Sequence, residues 1–351
     1  MPELTPMRDG EALDLARLAT YLRSTMEDLP SGPIEAQQFA AGRSNLTYLI
    51  TVGSTRLVLR RPPLGPLAAR AHDMAREFRW LEAIHSKFPW APKPLALCLE
   101  PGVLGSIFFL MEHRHGVGLE EFLATENASI PAFGDHISRI TMSRLADLHA
   151  VDWSSLAIRS QVKPDGFLAR QVAGWIERYQ RAKTAEIPGE HALTQWLRDH
   201  VPPSPDPTIL HYDYKLNNMV FEPDCRDVTG IFDWEMTTVG DPIADVAVAM
   251  SYWVQSDDDP RLRWGLNESV TIRPGFWSRD QWVTEYARRT GRDLSNFPYY
   301  LTFAYFKLAV IVAQIYYRYY CGQTNDPRFA HMNQMVEHLI RHAWEMHPAS
   351  L

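Results

Sequence analysis

The feature that most constrains the fold is a polar loop enclosed by short apolar runs in the second half of the chain. The runs TIL at 208–210 and MVF at 219–221 flank the loop HYDYKLNN, and a third run, GIF at 230–232, leads into Asp233. Short apolar runs bounded by turn residues are typical of buried strands. The sequence therefore predicts a polar loop framed by strands, followed by an acidic residue at the end of the next strand.

Three side chains in and after this loop have the types and spacing that phosphoryl transfer needs. Asp213 is followed by Asn218 five residues later and by Asp233 after fifteen more. The reaction needs a carboxylate to orient or deprotonate the attacking hydroxyl, oxygen ligands for Mg²⁺, and cations that offset the developing charge. Asp213 suits the first task, and Asn218 and Asp233 suit the second. The alternative is an ordinary polar turn, in which Asp and Asn are common.

The segment 211–247 closely resembles the active-site segment of aminoglycoside phosphotransferase and choline kinase-like enzymes. It is most similar to the branch fused to, or encoded beside, acyl-CoA dehydrogenases. The resemblance runs from AGRSNLTY at 41–48 to the C-terminal helices. It implies a small-molecule kinase that uses Mg²⁺ and takes ATP as co-substrate, with Asp213 as the catalytic carboxylate and Asn218 and Asp233 as the metal ligands.

The same resemblance assigns roles to the other loop residues. Lys215 stands where the branch usually has Arg; it either meets the γ-phosphate as a point charge or is a solvated loop lysine. Tyr212 replaces the usual Gly, and a bulky side chain there narrows the substrate entrance or demands a different loop conformation. His211 is expected to brace the loop by hydrogen bonds rather than act as the base.

Two further acidic residues belong to the run GDPIAD. Asp241 precedes Pro242 and is predicted to be the N-cap of a helix with Pro at its first position. Asp245 falls in the first turn, where a carboxylate suits the helix dipole. The resemblance implies that Asp245 supports the catalytic loop.

A kinase also needs a strand cation that pairs with a helix carboxylate. The strand RLVLR ends at Arg60, and strand alternation places Arg60 and Arg61 on opposite faces, so only one can point inward. Glu77 is the predicted partner because Leu81 and Ile84 follow it on the apolar face of the next helix. A buried carboxylate there is costly unless it is paired. The alternatives are that Arg61 makes the contact or that Glu77 points to solvent.

The remaining nucleotide contacts are predicted from position in the N-terminal part. Gly42 gives the turn AAGRSNLTY backbone freedom, and Ser44 and Asn45 offer a hydroxyl and an amide to phosphate oxygens. No GxGxxG motif is present there. Glu112 and His113 fall where the chain leaves this part, and their backbone groups are expected to meet the adenine edge.

The order of predicted elements favours an α+β, protein-kinase-like fold with two lobes. Strands with one main helix at 71–88 predict a five-stranded antiparallel sheet, in which Pro101-Gly102 marks a hairpin. Helical periodicity dominates afterwards. We expect an N-lobe at 1–112, a hinge at 113–118, and a larger, mostly helical C-lobe at 119–351.

Composition excludes several other classes of protein. The formal net charge of −7 does not suit a nucleic-acid binder, and three widely spaced cysteines predict reduced thiols rather than a disulfide framework or zinc site. The N-terminus lacks the apolar core of a signal peptide. Lys307, Gln314 and Arg318 interrupt the apolar stretch 303–320, which favours a buried helix over a membrane span. A cytoplasmic protein is expected.

The acceptor is predicted less directly. The acidic run Asp257 to Asp259 would suit a polycationic aminoglycoside, although solvated loops of this kind are more common. Tyr305, Tyr316 and Tyr317 lie in an aromatic segment that is more typical of a core than of a pocket wall. The resemblance favours a hydroxyacyl-CoA acceptor over aminoglycosides or amino alcohols. The remaining alternative is a nucleotide-binding pseudokinase that regulates a partner.

Overall fold

The computed structural model describes residues 4–40, 45–63, 73–125, 131–263 and 270–348. In that part of the chain the strands are β1 (Leu4–Thr5), β2 (Ile34–Phe39), β3 (Leu46–Val52), β4 (Thr55–Arg61), β5 (Pro94–Cys98), β6 (Phe108–Glu112), β7 (Thr208–Leu210), β8 (Met219–Phe221), β9 (Val228–Ile231) and β10 (Thr238–Gly240). The α-helices are α1 (Leu15–Thr25), α2 (Met74–Ile84), α3 (Pro101–Leu104), α4 (Leu119–Thr125), α5 (Pro131–His149), α6 (Phe167–Ala182), α7 (Glu190–Asp199), α8 (Pro242–Tyr252), α9 (Arg279–Thr290), α10 (Phe297–Tyr320) and α11 (Met332–Glu345).

The chain forms two compact units. Unit 1 comprises Met1–Ala128, Ser154–Gln161 and Leu216–Thr237, and unit 2 comprises Ser129–Trp153, Val162–Lys215 and Thr238–Leu351. Residues 216–237 therefore pack with the N-terminal part of the chain. The lobe boundaries expected from the sequence, with a hinge at 113–118, stay a prediction.

Unit 1 contains an antiparallel sheet in the order β1-β2-β3-β4-β6-β5. The predicted antiparallel sheet and main helix are confirmed, but the sheet has six strands rather than five. The added strand, β1, has only two residues, which are too few for an alternating pattern to reveal. The predicted hairpin across Pro101-Gly102 is confirmed, because β5 and β6 pair antiparallel on either side of it. Its connection contains the short helix α3, which is followed by Gly105 in the left-handed region with φ 80°.

The two faces of β4 have different roles. Leu57 and Leu59 join the core that packs the sheet against α1, where Leu18 and Leu22 are fully buried. Alternation turns Arg60 to the opposite face of the strand. Helix α2 begins at the N-cap Asp73, whose side chain accepts the Arg76 N–H, and it packs against β5 and β6. This frame fixes Glu77 in the first turn of α2.

Unit 2 is mostly helical and holds the short β7–β10 pair, with Ile209 opposite Val239. Helix α10 packs against α6, α8 and α11. By length and composition α10 could cross a membrane, yet 72% of its most apolar window is buried inside the protein. The sequence-based prediction of a buried helix is confirmed for its N-terminal half, where residues 303–310 are all buried.

Candidate active site

The predicted metal ligands meet at one end of a hairpin in unit 1. Strands β8 and β9 pair antiparallel with Met219 opposite Ile231, so the residues just outside the pair are neighbours. The Phe232 N–H donates to the Asn218 carbonyl oxygen at 2.8 Å. Asn218 lies directly before β8, and Asp233 follows the end of β9 by two residues. An amide oxygen and a carboxylate at one hairpin end form the hard-oxygen donor set that suits Mg²⁺.

Asp233 has an unusual backbone and a short contact to a cation. Its φ is 69°, in the left-handed region that is uncommon for residues other than glycine. Its Oδ1 accepts from the Arg60 guanidinium at 2.5 Å. Strained backbone of this kind persists where the surroundings over-determine it and is frequent at functional sites.

Arg60 lies at the centre of a buried ionic cluster. Its Nε is 3.2 Å from Glu77 Oε2, and its Nη2 is 3.9 Å from Glu235 Oε2. Burial opposes the charged form of Arg60, but Asp233, Glu77 and Glu235 together outweigh it and raise its pKa. Burial also raises the pKa of Glu77, against the lowering effect of Arg60. Three carboxylates around one guanidinium leave an excess of negative charge beside the predicted metal ligands.

The choice between the two strand arginines is settled by these contacts. The predicted Arg60–Glu77 pair is confirmed, and Glu77 is 1% exposed rather than directed to solvent. Arg61 lies on the other face, where its guanidinium donates to the Tyr48 hydroxyl at 2.9 Å and to the Leu104 carbonyl oxygen at 3.3 Å. Arg61 is therefore structural.

Two further side chains hold the segment after Asp233. Asn45 Nδ2 donates to Glu235 Oε2 at 2.9 Å, and its predicted contact with phosphate stays a prediction. Arg76 donates to the carbonyl oxygens of Glu235 and Thr237, the first at 2.6 Å. Helix α2 thereby fixes the backbone that follows the metal-ligand pair. The predicted phosphate-loop residues Gly42 and Ser44 lie outside the described residues.

The end of β6 is held by contacts within unit 1. The Glu112 N–H donates to the Lys93 carbonyl oxygen at 2.9 Å, and Glu112 Oε1 accepts the Lys93 N–H at 2.6 Å. The expected contact of the Glu112 and His113 backbone groups with the adenine edge stays a prediction. Burial, and then His115, lower the pKa of His113 to about 4, so its ring is neutral at pH 7.

In unit 2, the loop after β7 presents the predicted base and its neighbouring cation. Lys215 Nζ donates to Asp213 Oδ2 at 2.8 Å and lies 4.9 Å from the centre of the Tyr252 ring. Both charged side chains are partly exposed, at 17% for Asp213 and 27% for Lys215. Lys215 is therefore not the freely solvated lysine of the alternative interpretation. It compensates the charge of the Asp213 carboxylate.

Asp245 holds the start of this loop. Its two carboxylate oxygens accept the His211 and Tyr212 N–H groups at 2.7 and 2.8 Å, and His149 Nε2 lies 3.2 Å from Oδ2. The Asp213 N–H donates to His211 Nδ1 at 3.3 Å. These contacts give both Asp245 and His211 the geometry of loop supports.

Asp241 occupies the N-cap of α8, as predicted, and its side chain accepts the Ile243 N–H at 2.9 Å. Pro242 takes the first helical position. The Tyr300 hydroxyl donates to Asp241 Oδ2 at 2.7 Å, which ties the cap to α10. Burial raises the pKa of Asp241 despite these hydrogen bonds. Its contacts are those of a structural residue that fixes α8, the helix that carries Asp245.

The family model for the phosphotransferase enzyme family, APH, matches residues 35–288, which include the hairpin, the loop and the Arg60 cluster. The chain belongs to this family. The chain is 30% identical over 354 residues to the mouse acyl-CoA dehydrogenase family member 10, covering 98% of this chain and 32% of the relative. It is 33% identical over 294 residues to the human acyl-CoA dehydrogenase family member 11, covering 82% and 37%. The chain thus spans less than half the length of these relatives.

Solved structures share the fold. A candidate aminoglycoside phosphotransferase from Ralstonia eutropha JMP134 aligns with TM-score 0.79 and 26% identity, covering 95% of this chain and 98% of that one. The GDP complex of aminoglycoside 2′-phosphotransferase-IIIa aligns with TM-score 0.60 and 13% identity, covering 94% and 99%. The family resemblance and the kinase-like fold predicted from the sequence are confirmed.

Sequence reasoning missed several residues that the fold brings to these clusters. Glu235 follows Asp233 by two residues, so its inclusion in the same acidic motif was an available signal. Lys307 was noticed only as an interruption of an apolar stretch, yet it contacts Tyr212 in the catalytic loop. Arg76 and His149 had no signal, because their contacts span 159 and 96 positions of the chain.

The acidic run Asp257 to Asp259 in unit 2 is not an open anionic surface. Asp258 is buried in a bidentate pair with Arg279, whose Nη1 lies 2.8 Å from Oδ1. Asp259 pairs with Arg261, which holds the pKa of Asp259 well below its usual range. Tyr305 is 2% exposed and belongs to the core, as predicted. Two of the three carboxylates are thus neutralised within the chain.

Proposed function

We propose that this protein transfers the γ-phosphoryl group of Mg-ATP to a hydroxyl of a small molecule, with a hydroxyacyl-CoA as the favoured acceptor. The observation that carries the reaction type is the β8–β9 hairpin, which brings Asn218 and Asp233 together only a few residues after Asp213. The chain therefore has side chains of the types that phosphoryl transfer needs: oxygen ligands for a metal ion, a carboxylate base and a cation.

Each residue has a task in this proposal. Asn218 and Asp233 would hold Mg²⁺, which supplies positive charge against the phosphates when it is bound. Asp213 accepts the proton of the acceptor hydroxyl, and Lys215 lies beside that carboxylate as a compensating cation. Arg60 offsets negative charge on the nucleotide, and its ion pair with Glu77 fixes the orientation of the guanidinium. GDP binding by the aminoglycoside 2′-phosphotransferase supports a nucleoside triphosphate as co-substrate.

The acceptor is inferred from two observations. The matched relatives are named acyl-CoA dehydrogenase family members. A segment similar to this chain thus occurs in longer proteins whose names refer to acyl-CoA chemistry, which favours an acyl-CoA acceptor. Within unit 2, Asp258 and Asp259 are already paired with arginines, so two of the three carboxylates in the run that would suit a polycationic aminoglycoside are neutralised. Aminoglycosides and amino alcohols remain the second candidates, because the family and its solved members carry that chemistry in their names.

The test is phosphoryl transfer from ATP or GTP to a panel of hydroxyacyl-CoAs, amino alcohols and aminoglycosides, with and without Mg²⁺. The matched control is Asp213→Asn, which keeps the size of the side chain. We expect Mg²⁺-dependent transfer to a hydroxyacyl-CoA that the control loses. Transfer to an aminoglycoside instead would replace the acceptor class. Tight Mg-nucleotide binding by the wild type with no transfer to any acceptor would favour the regulatory pseudokinase.

A further inference from the structure

Lys307 is a buried cation outside the predicted site. It lies in the middle of α10 and is 3% exposed. Its Nζ donates to the Tyr212 carbonyl oxygen at 3.0 Å and lies 3.9 Å from the centre of the Tyr212 ring and 5.5 Å from that of Trp175. A buried ammonium group that bonds a carbonyl and faces aromatic rings is costly compared with an apolar side chain of the same size. Stability alone therefore does not explain this lysine.

Tyr212 is the residue that Lys307 contacts, and its backbone is strained. Its φ is 66°, a left-handed value that glycine adopts freely and a bulky aromatic residue does not. Its ring is buried at 2% exposure and packs edge-on against Phe167. Such a conformation persists only where surrounding contacts over-determine it. Tyr212 directly precedes Asp213, so its strain lies next to the proposed base.

The contacts converge on one peptide group, the one that joins Tyr212 to Asp213. Its carbonyl oxygen accepts from Lys307 at 3.0 Å, and its N–H donates to His211 Nδ1 at 3.3 Å. The preceding N–H, that of Tyr212, donates to Asp245 at 2.8 Å. The plane of this peptide sets the direction in which Asp213 leaves the backbone. Lys307 holds the carbonyl oxygen of this peptide group by a hydrogen bond.

We propose that Lys307 is a positioning residue, which holds the Tyr212–Asp213 peptide in its left-handed setting and thereby aims the Asp213 carboxylate. The inference rests on the proposed function, because it assigns Asp213 to the reaction. It explains why a tyrosine stands where glycine would be free of strain: the ring and the carbonyl of Tyr212 are both held by the same ammonium group. A small misplacement of a catalytic group costs rate much more than binding.

The experiment is a double-mutant cycle of Lys307→Met and Tyr212→Gly, with Phe306→Leu as the control. Phe306 neighbours Lys307 on α10 but packs its ring against Tyr179 of α6. The readouts are kcat, KM for ATP, and hydrogen exchange of the 211–214 amides. Methionine keeps the length and removes the charge, so the variant is expected to fold.

We expect Lys307→Met to lower kcat about 10-fold to 100-fold with KM for ATP unchanged within about two-fold, and to speed exchange of the loop amides. In the Tyr212→Gly background the same substitution should change both readouts by less than about two-fold, because glycine needs no clamp at this φ. Phe306→Leu should leave loop exchange unchanged.

Equal losses in the two backgrounds, or no effect of Lys307→Met in the wild type, would overturn the positioning role. Failure of the proposed function would look different. The wild type would then transfer phosphate to no acceptor, while the exchange readout would still decide whether Lys307 and Tyr212 are coupled.

Discussion

Each of the two units buries one cation beside a proposed catalytic element, and the two cations are compensated in different ways. Arg60 in unit 1 contacts Glu77, Asp233 and Glu235, which raise its pKa although burial opposes them. Lys307 in unit 2 bonds a carbonyl oxygen and faces aromatic rings. Burial lowers the pKa of Lys307 to about 8, against the opposing effect of Asp213 and Asp245.

The difference separates two uses of a buried charge. Around Arg60 three carboxylates contact one guanidinium, and in the proposed function this cluster would meet the metal ion and the phosphates. Lys307 instead donates to the Tyr212 carbonyl oxygen, and in our proposal its charge holds the Tyr212–Asp213 peptide group. In these proposals Arg60 contacts bound ligands, whereas Lys307 sets the conformation of the loop that carries Asp213.

The largest effect is expected where the chemistry itself is removed. Asp213→Asn should lower turnover by about 10²–10⁴, the usual contribution of general-base assistance, with Mg-nucleotide affinity nearly unchanged. The matched control is Asp233→Asn, which removes charge from the proposed metal site. It should weaken Mg-dependent nucleotide binding by about 10-fold or more as well as turnover. Calorimetry and the transfer assay measure both, and full activity in Asp213→Asn would rule out the base.

The comparison of the two cations is tested most directly by removing each charge in turn. Arg60→Met should destabilise the protein by about 3–5 kcal/mol, because it leaves buried carboxylates without their partner. Lys307→Met should be neutral or stabilising at pH 7, since it removes a buried charge that has no carboxylate partner. Urea unfolding followed by circular dichroism measures both. Similar losses in the two variants would mean that the two sites are compensated alike.

The smallest expected effect is a pH dependence that only Lys307 should produce. Its pKa is about 8 in the folded protein and about 10.4 in an unfolded chain, so the unfolded state binds more protons between these values. The cost of the buried charge is fully present below pH 8 and is relieved as pH rises. The stability of the wild type relative to Lys307→Met should therefore increase above pH 8, with a slope approaching about 1.4 kcal/mol per pH unit.

That measurement has internal controls. The charged groups facing Lys307 are Asp213 and Lys215 in the loop, Asp245 on α8 and Arg178 on α6, and all are retained in both proteins. Phe306→Leu should show no such slope against the wild type. Turnover of the wild type should fall over the same pH range in which its relative stability rises, because the clamp on Tyr212 loses its charge. A flat difference from pH 7 to 10 would contradict the assigned pKa.

Local pattern was sufficient for the frame of the candidate site. The apolar runs around Asp213, Asn218 and Asp233 predicted the strands that frame the loop, because short apolar runs bounded by turn residues are typical of buried strands. The roles of these three residues stay predictions. Strand alternation predicted that Arg60 and Arg61 point to opposite faces, and the structure shows that Arg60 is the one that contacts Glu77. The sequence also determined the cap at Asp241, where the signal lies within three residues.

Only the tertiary structure decided which distant side chains complete those motifs. Lys307 reaches Tyr212 across 95 positions, and Asn45 reaches Glu235 across 190. The sequence places Asp258 in an acidic run that is typical of a solvated loop, but the structure pairs it with Arg279, 21 positions along the chain. Such contacts depend on how helices and sheets pack, and packing is a property of the whole core that no local window of sequence contains.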